Sequence, residues 1–166
     1  FAVMRFDYHA TGDSDGVEGD PQRLSTWKAN VSDAVDWMRR EGGCCKISLV
    51  GLRLGATLAA LYAEQHEVES LVLWAPCPTG RAFVRELRAA GTLRHHAPVP
   101  GTAADDDDLE TLGTLYTAET LRDLTALDAK PPAGRRPARR SLFICRDDLP
   151  GDGPLPAAFR EAGVET

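Results

Sequence analysis

The chain has 166 residues, 43% of them hydrophobic and 27% charged, with a net charge of −6. That length holds one core and is too short for two ordinary domains. No stretch reaches the roughly 20 apolar residues of a membrane span and no signal peptide is visible, while the acidic balance argues against nucleic acid as a partner.

The first apolar run, Ala2 to Phe6, predicts a strand that opens into a loop rich in Gly and Asp, turning at Gly12 and Gly16. A helix follows from about Ser25 to Arg40, with Trp27, Val31, Ala34, Val35 and Met38 at helical spacing on one face. Trp27 and Trp37 are expected in the core rather than in a binding box. Arg39-Arg40 and then Gly42-Gly43 mark the helix end. Lys46 to Val50 predicts a buried strand in which Ser48 is expected to be buried, and Ala56 to Ala63 predicts the next helix.

Between these two elements stands Gly51-Leu52-Arg53-Leu54-Gly55. A strand that enters a Gly-x-x-x-Gly turn and leaves as a helix has the frame of a nucleophile elbow, whose central residue sits on a strained turn that only small neighbours permit. Arg53 holds the central position. A guanidinium stays protonated at physiological pH and has no lone pair to offer an acyl carbon, so Arg53 cannot replace a serine hydroxyl. An anion is expected beside it, because burying an unpaired ion costs on the order of several kcal/mol. That anion is either a ligand carboxylate or phosphate, held with help from Leu54 at the helix start, or an internal acid such as Asp147 or Asp148.

Leu71 to Pro76 predicts a third strand and Gly80 to Ala90 a helix, followed by a long irregular stretch from Gly91 to Asp108. Thr117 is a plausible cap for a helix that carries Leu121, Leu124 and Leu127 on its apolar side. Arg135 to Arg140 reads as a solvated connector, as does the Asp105 to Asp108 run. Leu142 to Cys145 predicts a fourth strand, leading to Asp147 and Asp148. The βαβ alternation implies a mainly parallel sheet flanked by helices.

Cys44, Cys45, Cys77 and Cys145 contain no C-x-x-C pair and are taken as reduced, with Cys45 and Cys145 acting as small hydrophobes at buried strands; this favours the cytoplasm. His95-His96 has no partner at ligand spacing, so no metal is expected, and no cofactor is implied. His9 lies beside the first loop, and Ser14 there has no elbow to activate it.

Arg5 to Gly16, the elbow, Leu71 to Pro76 and Ser141 to Pro150 together resemble α/β-hydrolases of the serine aminopeptidase type, and the arginine elbow is similar to the branch associated with exosortase gene clusters. That family commonly has Arg-Gly where this chain has His9-Ala10. The resemblance implies an α/β-hydrolase fold with a helical cap insertion at about residues 80–130, where substrate choice would lie. It makes Asp147 and Asp148 candidates for the triad acid. Phe1 stands inside an apolar run and Gly163 to Thr166 stops where another strand would start, so the chain is expected to be truncated at both ends, with the triad histidine and oxyanion loop outside it. Two functions follow. One is an esterase, thioesterase or aminopeptidase-like hydrolase that works by another nucleophile or an activated water. The other is a catalytically silent homologue that binds an acyl or carboxylate ligand or a protein partner.

Overall fold

The computed structural model describes residues 1–93, 107–146 and 154–166. The chain runs α1 (Arg23–Arg40), β1 (Ser48–Leu52), α2 (Leu54–Gln65), β2 (Val68–Trp74), α3 (Gly80–Leu93), β3 (Leu109–Thr111), β4 (Thr114–Tyr116), α4 (Ala118–Thr125), β5 (Ala138–Ile144) and α5 (Pro154–Glu161). It divides into two units. One holds Phe1–Phe6, Lys28–Pro78 and Asp128–Thr166; the other holds Asp7–Trp27 and Thr79–Leu127.

The first unit is built on a three-stranded parallel sheet of order β1-β2-β5, in which Leu52 faces Trp74 and Trp74 faces Ile144. Alternate residues of a strand point to opposite faces. Leu71 and Leu73 therefore share the face on which α2 lies, and both are fully buried. Phe143 on the same face meets Phe159 of α5 edge-on, with centroids 5.2 Å apart. The composition of α2 suits this burial: Ala56, Leu58, Ala59, Ala60 and Ala63 are small or unbranched good helix formers, and all are buried. On the opposite face, Val50 is 73% exposed, with Leu52, Trp74 and Leu142 about half exposed. Parallel sheets are ordinarily covered on both faces, which is why these strands read as continuous apolar runs. Ser48, expected to be buried, is exposed along with this open face.

Several boundaries differ from the sequence expectation. Ala2 to Phe6 joins no ladder and forms no strand; Phe1 and Val3 are exposed. An apolar alternation makes a strand only where a neighbour accepts its hydrogen bonds. The start of a further strand near Gly163 to Thr166 is matched by a parallel bridge between Glu165 and Arg140. Trp27 is buried, but Trp37 is half exposed, because ten residues further along a helix of 3.6 residues per turn leave it well off the buried face.

In the second unit α3 packs against α4 and β3. Gly80 permits the α3–α4 approach, since a Cβ there would fall on the Leu124 carbonyl oxygen. Thr117 caps α4 as expected, its hydroxyl oxygen accepting the Thr120 N–H. β3 and β4 form an antiparallel hairpin whose two turn residues, Leu112 and Gly113, both have positive φ. This is the backbone of a type I′ turn, and leucine at its first position hides it from a search for Asn-Gly.

Candidate functional site

Everything about the elbow follows from the joint between β1 and α2. Arg53 has φ 54° and ψ −119°, a conformation that costs a non-glycine residue on the order of 1–3 kcal/mol and persists only where its surroundings impose it. They do so here. The Arg53 N–H donates to the Trp74 carbonyl at 2.9 Å, and the Arg53 carbonyl accepts from Ala56 N–H and Thr57 N–H, so strand pairing and helix start grip the residue from both sides. Gly51 makes the turn possible: a Cβ on it would lie 2.4 Å from Ala56 N and from the Gly55 carbonyl carbon. The strained centre is thus the position at which an elbow presents its reacting atom.

The Arg53 side chain is half buried and lies along the end of β2. Its Nη1 donates to the Ala75 carbonyl at 3.3 Å, and its guanidinium hydrogen-bonds the Cys77 thiol. Ala75 itself has φ 43° and donates its N–H to the Ile144 carbonyl, tying the end of β2 to β5. Cys77 is buried, and its carbonyl accepts from the buried Thr57 hydroxyl of α2 at 2.9 Å. Burial pushes the Cys77 thiol up, against the pull of the Arg53 charge and hydrogen bond and of the Arg146 charge. A protonated, buried thiol is a poor nucleophile. Two guanidinium groups therefore act on one place at the C-terminal end of the sheet. The first turn of α2 adds the positive end of its dipole and the unpartnered N–H groups of a helix start. Leu54 is the first residue of that helix and is half buried.

Sequence reasoning placed Arg53 and Leu54 at the elbow, where the structure also has them. Asp147 and Asp148 lie outside the described residues, as do His95 and His96. Cys77 and Arg146 were missed. The available signal was positional, since residues just past the ends of parallel neighbours converge on the same sheet edge. Cys45, expected at a buried strand, is exposed, and Cys145 is half buried; all four cysteines are free.

A second feature lies wholly in the second unit. A cleft of about 470 Å³ is lined by Ala10, Thr11, Ser14, Glu18 and Thr114 among others, and by none of the elbow residues. Ala10, standing where the resembled family has glycine, adopts φ 55° and so keeps a left-handed turn without glycine. His9 is paired with Asp20 at 2.9 Å. Behind the cleft, Arg23 is fully buried: Nη1 donates to the carbonyls of Glu18 and Leu115, and the guanidinium lies 4.9 Å from the Trp27 ring centre and 5.8 Å from that of Tyr116. Among the described residues no group of His, Cys, Asp and Glu could hold a metal, and no helix is long and apolar enough to cross a membrane.

No protein-family model matches the chain, and no curated protein matches it in sequence. Among solved structures it is similar to Est1E from Butyrivibrio proteoclasticus, at TM-score 0.58 and 16% identity over 86% of this chain and 58% of that one. It is likewise similar to Est1E with ferulic acid bound, at TM-score 0.56 and 19% identity over 82% of this chain and 53% of that one. The chain spans little more than half the length of the structures it matches. With a mainly parallel sheet flanked by helices and a strained turn joining β1 to α2, the chain has the α/β-hydrolase fold.

Proposed function

We propose that this chain is an α/β-hydrolase homologue without serine catalysis, whose elbow binds the carboxylate of an acyl ligand. The observation that carries this reading is Arg53 in the elbow conformation, φ 54° and ψ −119°. The scaffold that would present a nucleophile instead holds a permanent cation at the start of a 12-residue helix. Bidentate pairing with a carboxylate suits a guanidinium, and helix N–H groups such as that of Leu54 suit the second oxygen. Asp147 and Asp148 are assigned as the residues at the acid position, and residues 80–130 as the insertion that selects the ligand. The loop from Arg5 to Gly16 and the arginine elbow favour the serine aminopeptidase-like group and, within it, the branch associated with exosortase gene clusters. Four free cysteines favour the cytoplasm.

Titration of the protein with octanoate, followed calorimetrically, tests the proposal. Binding by the native chain should weaken roughly 10- to 100-fold in Arg53→Met, the loss of one charge-assisted pair. Absence of binding by the native chain, or equal binding by the variant, would refute it. The second reading, an esterase-like hydrolase with another nucleophile or an activated water, draws on the likeness to Est1E.

A further inference from the structure

The loop Asp7–Asp20 is closed by side chains rather than by a strand ladder. His9 Nε2 lies 2.9 Å from Asp20 Oδ2, and the same carboxylate oxygen accepts the Val17 N–H at 2.8 Å. The His9 carbonyl accepts from Trp27 Nε1 at 2.9 Å, fixing the residue to α1. Gly16 crosses the imidazole so closely that a Cβ on it would stand 2.1 Å from Cε1. The residues between these fastenings, Ala10 to Val17, form one wall of the 470 Å³ cleft.

The other charges around the clasp are already engaged. Asp7 accepts the Asp13 N–H, Asp15 the Gly16 N–H, and Glu18 the Leu115 N–H of the hairpin. From α1, Arg23 acts on Asp20, while Trp27 offers only a neutral indole. Tyr8, the remaining titratable neighbour in the loop, is kept neutral by burial, which pushes its phenol up. Asp20 is held below the usual carboxylate range, first by the Val17 N–H and then by His9 and Arg23, against some desolvation. It therefore stays ionised throughout the range in which histidine side chains change charge.

We propose that the His9–Asp20 pair is a pH-sensitive clasp on the wall of this cleft, charged and closed in mildly acidic solution and weaker once the imidazole is neutral. A part-exposed pair of this kind shifts a local opening equilibrium by roughly two- to fivefold. The test is amide hydrogen exchange at Val17 and Ala10 in the full chain between pH 5.5 and 8, corrected for the intrinsic pH dependence of exchange. Protection at both amides should fall roughly two- to fivefold as the pH rises. The profile should be flat in Asp20→Asn and in His9→Gln, two variants that keep a hydrogen-bonding side chain at the clasp; thermal unfolding confirms that each is folded. A flat profile in the native chain, or the native slope retained in a folded His9→Gln, would overturn the clasp.

Discussion

Replacing Gly51 by alanine adds a single methyl group, and the structure shows where it must go. The new Cβ would stand 2.4 Å from Ala56 N, Gly55 C and Gly55 O, all backbone atoms of the first turn of α2, so no side-chain rotation relieves the contact. The helix has to move away from the sheet. Ala56, Leu58 and Ala60 are at most 2% exposed on the face that would be lifted, and overpacking a filled interface costs about 1–3 kcal/mol. The same shift loosens the 3.1 and 3.3 Å bonds from Ala56 N–H and Thr57 N–H to the Arg53 carbonyl. Each of these contributes about 1 kcal/mol. A loss of about 3 kcal/mol is expected, which for a domain of this size lowers Tm by about 10 °C. Gly19→Ala is the control, since a Cβ there meets nothing within 4 Å, and it should change stability by no more than about 0.5 kcal/mol. Urea and thermal unfolding followed by circular dichroism measure both variants. A Gly51→Ala variant no less stable than Gly19→Ala would refute the claim that this glycine is what lets β1 and α2 meet at a strained elbow.

Arg23 is buried with Nε and Nη2 unpaired, so Arg23→Met should be neutral or stabilising, whereas Arg23→Ala, which also empties the space between Trp27 and Tyr116, should cost about 2–4 kcal/mol; urea unfolding separates the two. Glu64 has a buried, unpartnered Oε1, and burial, aided by Asp128, pushes its carboxyl up. A raised carboxylate pKa means that the folded chain holds the proton more tightly than the unfolded one, so this group costs stability as the pH rises through its unfolded and then its folded pKa. Glu64→Gln should accordingly raise Tm at pH 7, with the gain vanishing below the unfolded carboxyl pKa, as a pH series of thermal melts would show. Exposed Cys45 should react rapidly with a thiol reagent at pH 8, and Cys77 only on unfolding; mass spectrometry of the labelled peptides identifies the order.

What was legible in the sequence was local and periodic. The α1 stripe, the Thr117 cap and the strand–turn–helix frame around Arg53 depend on spacings of a few residues, and the structure holds them within two or three positions. β1 lies two residues later than its apolar run suggests, because its limits are set by pairing with β2 from Ser48–Ser70 to Leu52–Trp74, a partner no local window contains. The missing ladder at Ala2 to Phe6 and the exposure of Ser48 have the same origin: both depend on which neighbours cover a sheet, not on the strand's own residues. At the site, Arg53 was visible as an anomaly within a motif. Cys77 and Arg146 act beside it only because β2 and β5 end next to β1, and that placement is a tertiary fact.

The central claim is that the elbow presents a cation where the fold ordinarily presents a nucleophile. Initial rates on a panel of p-nitrophenyl esters and one acyl thioester, for the native protein beside Arg53→Ser, test it most directly. The account predicts no turnover above background by the native protein, with any hydrolysis confined to the serine variant. Turnover by the native protein that persists in Arg53→Ser would contradict it, placing the reacting group elsewhere in the molecule.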